Sequence, residues 1–386
     1  MQAKRSVVAV LGVIAVIGVA VAPVTQAVTP TASTLPAIGH VFTIVLENED
    51  FARSFGTGQV ESPYLSRTLV QQGAFVPNYY GTGHASLDNY IAMTSGQGPN
   101  PRTQGDCDDS SILGGDGSLH FDADGQAIGT LGCTYPASVQ SIATQLTTAG
   151  YSWKGYMQDM DAQPGVRRTT CRGPATDRII ENPVPVGNPK SPDDYRNKHN
   201  PFGYYHSVVD DLAYCDARDV PLSGFAADLQ SVATTPNFSF VVPNQCDDGH
   251  DMPTCSDGTP GGPSRYDAFL QQYVPAILAS PAFQLDGLLI ITFDEGVTGL
   301  SCCNEKTGPN VASGSNNGGS YPGSLGAGGG QVGAVLISPF ITPGMISINS
   351  YNHYSYLRTM EDIFGVSHLG YAAQDGLSPF GADIFG

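Results

Sequence analysis

Two apolar runs constrain this fold more than any other feature: HVFTIVLE at 40–47 and GLLIITFDE at 287–295. Each has the length of one strand and is rich in β-branched and aromatic residues. Neither alternates polar with apolar positions, so both faces of each strand must be buried. Strands of this kind sit inside a parallel sheet covered by helices on both sides. Further strands are expected in GAFVPNYY, YSWKGYMQ, NFSFVVPN and GAVLISPF. Between them lie helical patterns: one opened by Ser138 and ended by Gly150, one at 265–278, and an amphipathic one at 354–364. The alternation predicts an α/β fold, a three-layer sandwich around a largely parallel central sheet. Residues 96–136, 172–204 and 312–330 are rich in Gly, Asp, Pro, Asn and Ser and read as long loop insertions; the last has the composition of either a lid or a passive loop. No linker divides the chain, so residues 40–386 are expected to form one domain.

The N-terminus reads as an export signal. A basic MQAKR precedes an apolar stretch at 7–22, and PVTQA then offers small residues for cleavage near Ala27. The apolar stretch is short for a membrane span, so residues 1–27 are expected to be a cleaved signal peptide and 28–39 a short linker. An uncleaved membrane anchor is the alternative. Eight cysteines after such a signal favour disulfides. A sequential pairing, 107–133, 171–215 and 246–255, leaves Cys302 beside Cys303. The charge of -18, from 35 acidic and 17 basic residues, argues against nucleic acid and anionic membranes as electrostatic partners.

In open α/β sheets ligands bind beyond the carboxyl ends of the strands. The first apolar strand ends in Glu47-Asn48 and the second in Asp294-Glu295; a third ends at Asn244, followed by QCDDGHD. One acid at a strand end is most often a cap or a turn former. Two such pairs at buried strands make a hard-metal site chemically reasonable, with Mg, Ca or Mn on oxygen ligands and Zn or Fe where imidazole joins. The stretch GTGHASLDNYIAMTSG places Ser86 at a helix start, where the dipole and free N–H groups favour phosphate. Read alone, Ser86 is a helix cap. Beside a metal its hydroxyl becomes a nucleophile, with Asn89 one turn on as a phosphate donor.

The combination VLENEDFARSFG, GHASLDNYIAMTSG, WKGYMQDM, KHNPF, LLIITFDEG and NHYSYLRTMEDIFG resembles the bacterial phosphoesterase family, of the alkaline phosphatase-like superfamily. That family includes secreted acid phosphatases and phospholipases C. The resemblance runs from about His40 to the C-terminus and implies an alkaline phosphatase-like fold. It implies Ser86 as the nucleophile and Glu47, Asn48, Ser86, Asp294 and Glu295 as metal ligands, with one or two divalent ions of open identity. The two-zinc members carry Asp-His where this chain has Asp294-Glu295. The resemblance also implies that His199, His250 and His353 line the site, one of the last two protonating the leaving group. His84 lies two residues from Ser86, and Asp248 and Asp251 flank His250; these and His206 are secondary candidates. His40, His120 and His368 read as structural.

These readings lead to a secreted, metal-dependent phosphomonoesterase of acid phosphatase type, working through a phosphoserine on phosphorylated metabolites or phosphoinositides. A phospholipase C acting on phospholipid head groups is the alternative, and a non-catalytic binding protein a more distant one. No CxPxR-type segment supports a sulfatase.

Overall fold

In-register parallel pairing of the two apolar runs builds the centre of the structure, a computed structural model that describes residues 35–56, 60–161, 170–173, 194–250, 255, 257–309 and 328–386. The expected signal peptide lies outside the described residues, as do Asp251 and all but the last three residues of 312–330. Residues 34–386 form one compact unit.

The strands in chain order are β1 (His40–Leu46), β2 (Ala74–Val76), β3 (Tyr79–Tyr80), β4 (His120–Phe121), β5 (Ala127–Ile128) and β6 (Trp153–Met157). They continue with β7 (Asp219–Pro221), β8 (Phe238–Val242), β9 (Gly287–Phe293), β10 (Ala334–Ile337), β11 (Met345–Ile346) and β12 (Tyr351–Asn352). Eight of them make the central sheet in the order β11-β2-β10-β9-β1-β8-β6-β7. All neighbours pair in parallel except β10, which is antiparallel to both β9 and β2. The GAVLISPF run is therefore the antiparallel member. Its first residue, Ala334, pairs with Thr292 near the end of β9, so the chain turns back at the carboxyl edge and no crossover is needed.

Alternate side chains of β1 mark the two outer layers. Phe42 meets Phe283 of the Pro281–Asp286 helix, with ring centroids 6.4 Å apart. Its neighbour Thr43 points the other way, its hydroxyl 2.8 Å from the Tyr356 hydroxyl of the His353–Phe364 helix. β1 and β9 are buried at every position, which gives the three layers their common core. The expected helix after Ser138 begins later, at Ile142. A turn from Pro136 to Val139 comes first, and the Thr144 hydroxyl then accepts the Ser141 N–H and fixes the start there. Four disulfides form: Cys107–Cys133, Cys171–Cys215, Cys246–Cys255 and the neighbours Cys302–Cys303. Among the described residues no helix is long and apolar enough to cross a membrane.

Candidate active site

The register of β1 on β9 sets Leu46 opposite Phe293, so the residues after each strand emerge side by side. Asp294 N–H donates to Leu46 O at 2.9 Å and Asn48 N–H donates to Asp294 Oδ1 at 3.0 Å. Asn48 takes a left-handed backbone, φ 55°, which Asn tolerates better than most residues. The loop after β8 reaches the same place, because Glu47 N–H donates to Asp248 O at 2.8 Å. Three strand ends thereby put Glu47, Asp248, Asp294 and Glu295 into one buried pocket.

Ser86 comes from the opposite wall. Its loop is clamped to the segment that leads into β10 by the exchange of Gly81 N–H to Gly330 O and Gly329 N–H to Gly81 O, both at 3.0 Å. A Cβ on Gly81 would lie 2.7 Å from Asp294 O, so only glycine permits this approach. The Ser86–Ser95 helix then starts, with Ala85 at the cap position and left-handed Gly96 ending it. Ser86 does not cap the helix. It is the first helical residue, and its hydroxyl donates to Glu47 Oε1 at 2.6 Å. The role of outside cap falls to Asp106, whose Oδ1 accepts the Leu87 N–H at 3.0 Å. Thr94 and Ser95 bond back to the carbonyls of Tyr90 and Ile91 and take no part in the pocket.

Three histidines join this pocket. His250 Nδ1 is 3.0 Å from Glu47 Oε2 and its Nε2 is 3.4 Å from the Asn48 amide. The hydrogen bond and charge of Glu47 raise its pKa to about 9, against the opposing effect of burial. His199 Nε2 stands 3.0 Å from Glu47 Oε1 and Nδ1 3.6 Å from Asp248 Oδ2, yet neither nitrogen is aligned for a hydrogen bond. Burial lowers the His199 pKa in spite of Glu47. His84 Nδ1 is 3.6 Å from Glu295 Oε2. Burial alone would push the Glu47 pKa up, but His199, Lys198 and His250 outweigh it and hold the carboxylate well below its usual range. Asp248, Asp294 and Glu295 are raised, by burial first and then by a neighbouring negative charge, that of Glu47 for Asp248, Glu295 for Asp294 and Asp106 for Glu295.

A divalent cation fits these residues. Donor atoms of Glu47, His199 and Asp248 lie within 4.8 Å of one another. Asp248 Oδ2 and Asp294 Oδ2 are buried without a hydrogen-bond partner, which is costly unless a cation or solvent completes them. Of this triad Glu47 was among the expected ligands and Asp248 a secondary candidate for a second metal, whereas His199 was expected only to line the site. The Asn48 N–H is held by Asp294 and its side-chain Nδ2 lies 3.4 Å from His250 Nε2.

The sequence matches the Phosphoesterase family over residues 59–367. The chain belongs to that family. It is 25% identical to the phosphatidylinositol-3-phosphatase of Mycobacterium tuberculosis, over 92% of this chain and 85% of that protein. It is 26% identical to the phosphate-repressible acid phosphatase of Penicillium chrysogenum over 68% of this chain, and spans about half, 49%, of that longer protein. Among solved structures it is similar to a protein in the alkaline phosphatase superfamily from Vibrio parahaemolyticus. The TM-score is 0.47 and the identity 14%, over 88% of this chain and 71% of that one. The phosphoesterase is thus a phosphoric-ester hydrolase.

Three expected residues of this phosphoesterase are placed elsewhere. Asn89 is consumed by its own loop: Oδ1 accepts the N–H groups of Thr82 and Gly83 at 2.7 and 3.0 Å, and Nδ2 donates to the Gly83 and Ala85 carbonyls. It braces the Ser86 loop and has no donor left for phosphate. His353 is fully buried beneath the pocket. Its Nε2 donates to the Asp294 carbonyl at 2.5 Å and its Nδ1 accepts from the Tyr79 hydroxyl at 3.1 Å. It fixes the end of β9 and cannot reach a leaving group. His206 pairs with Asp210 and Thr134, away from the pocket. His40, His120 and His368 contact Asp286, the Ser118 carbonyl and Asp362.

Burial lowers the His353 pKa to about 4, so the unfolded chain takes up a proton there between pH 6.5 and about 4 and the folded chain does not. Stability contributed by neutral His353 is complete above pH 6.5 and is lost as pH falls toward 4, to the extent of about 3 kcal/mol. Urea midpoints of metal-free protein between pH 7 and 4 should fall more steeply for wild type than for His353→Gln. Equal slopes would contradict the buried neutral ring.

Sequence reasoning missed Lys198 and Asp106. Lys198 Nζ donates to Ser86 Oγ at 3.2 Å and to Asp106 Oδ2 at 2.9 Å, and lies 3.6 Å from Glu47 Oε1. The signal was present, since Lys198 stands beside His199 in the quoted KHNPF run and the chain has only 17 basic residues. Asp106 gave no signal in its aspartate-rich segment.

Proposed function

We propose that the chain is a secreted, metal-dependent phosphomonoesterase that works through a phosphoserine on Ser86. The observation that carries this reading is the 2.6 Å hydrogen bond from Ser86 Oγ to Glu47, at a helix start inside a pocket of buried carboxylates. As the Oγ–P bond forms and the P–O bond to the leaving group breaks, the Ser86 proton has an ionised acceptor in Glu47 Oε1. The leaving alkoxide takes its proton from His250. That side chain is 32% exposed, whereas His199 and His84 are 2% and 1% exposed, so it alone combines contact with Glu47 and access to a departing alcohol. Water then hydrolyses the phosphoserine and Ser86 regains its proton. Glu47, His199, Asp248 and Asp294 would hold the cation, and mixed carboxylate and imidazole donors suit Mn, Fe or Zn. Such an ion would supply Lewis-acid stabilisation of phosphoryl charge.

Two relatives named as phosphatases support the monoester. Four disulfides and the N-terminal signal pattern support secretion. The direct test compares p-nitrophenyl phosphate with p-nitrophenyl phosphorylcholine. Faster turnover of the monoester, by roughly tenfold or more, is expected. Preference for the choline diester would instead establish the phospholipase C alternative.

A further inference from the structure

Lys198 is held too elaborately to serve as a counter-ion alone. It sits on the short 3-10 turn Asn197–His199, with its side chain 21% exposed. Asp106 anchors it from the far side and is itself fixed, by the Leu87 N–H on one oxygen and by the Cys107–Cys133 bridge one residue on. Among the described residues Lys198 is the only lysine or arginine paired with a carboxylate of the pocket. Two carboxylates, Asp106 at 2.9 Å and Glu47 at 3.6 Å, offset the cost of desolvating the ammonium. Its third contact is with the nucleophile's own oxygen.

A cation at that position meets what Ser86 receives. Once phosphorus is bonded to Oγ, the non-bridging oxygens lie two bonds beyond the atom that Lys198 already contacts. A phosphomonoester carries close to two negative charges at neutral pH, with a second pKa of about 6, whereas a diester carries one. Four buried carboxylates line this pocket beside His250, and a fixed cation on the Ser86 side favours a substrate that brings a second negative charge to that side.

We propose that Lys198, held in place by Asp106, binds the phosphoryl group and sets the preference for monoesters over diesters. The assignment rests on the Ser86 phosphoesterase reading. In metal-reconstituted full-length protein, K198M should lower kcat/KM for both p-nitrophenyl phosphate and bis(p-nitrophenyl) phosphate. The monoester to diester ratio should fall by about tenfold or more. K198R should restore part of the ratio. D106N, which leaves the ammonium in place but unanchored, should lower it less than K198M. Product inhibition gives a second readout independent of diester turnover: the inhibition constant of inorganic phosphate should rise by about tenfold in K198M. Equal losses on both esters, or an unchanged phosphate inhibition constant, would overturn the assignment and leave Lys198 acting on Ser86 alone. A wild-type protein that turns over neither ester removes the phosphoesterase reading and this proposal with it.

Discussion

Ser86→Ala should reduce p-nitrophenyl phosphate hydrolysis by roughly a thousandfold or more, the scale on which loss of a nucleophile is felt. The fold should survive, because the only hydrogen bonds lost are those from Ser86 Oγ to Glu47 and from Lys198 to Ser86 Oγ. Circular dichroism and the thermal midpoint of the variant are the controls. The same variant also separates a covalent route from direct attack by water. Acid quenching with a labelled monoester should trap phosphate on wild type and leave Ser86→Ala unlabelled. Retained turnover would remove Ser86 from the chemistry, and label elsewhere would name a different nucleophile.

The second large effect is metal removal. Exhaustive chelation should abolish turnover, and a divalent ion should restore it. The physical basis lies in Glu47, Asp248, Asp294 and Glu295, all buried and crowded so closely that burial and mutual repulsion raise three of the four pKa values. Without a cation that crowding costs stability. Replacing one charge should therefore help the metal-free protein while harming the loaded one. Asp294→Asn should raise the thermal midpoint in chelator by a few degrees, on the order of 1 kcal/mol for a chain of this size. It should also lose most of the stabilisation that added metal gives wild type. The readout is thermal unfolding with and without Mg, Ca, Mn, Fe or Zn, together with metal analysis. A wild-type midpoint indifferent to all of these ions, with turnover surviving chelation, would sink the metal centre.

Much of the site was legible because its strongest elements are local. An apolar strand that ends in an acidic pair is visible in a dozen residues, and β1 and β9 form where those patterns stand. The glycine-framed stretch around Ser86 likewise forms the helix it suggests, ended by Gly96. Roles that depend on which way a side chain turns were not legible. Asn89 and His353 are next to the right backbone and face the wrong partners, one bracing its own loop and the other supporting Asp294 from below. Asp248 and His199 offered their donor atoms to Glu47 only after two distant loops met. The antiparallel direction of β10 was also hidden, because an apolar strand reads the same in either sense.

The sequence by itself determined the layered α/β architecture, the strand ends that carry the acids and the serine at a helix start. These follow from short-range rules of periodicity, burial and turn chemistry that act within a few residues. Tertiary structure alone decided which histidine of the pocket stays partly exposed, which carboxylates share one pocket, and that Lys198 and Asp106 stand beside Ser86. Those outcomes depend on distances between segments up to about 250 residues apart, such as Asn48 and Asp294. Such distances are set by the register of the sheet and the packing of its loops, which no local pattern records.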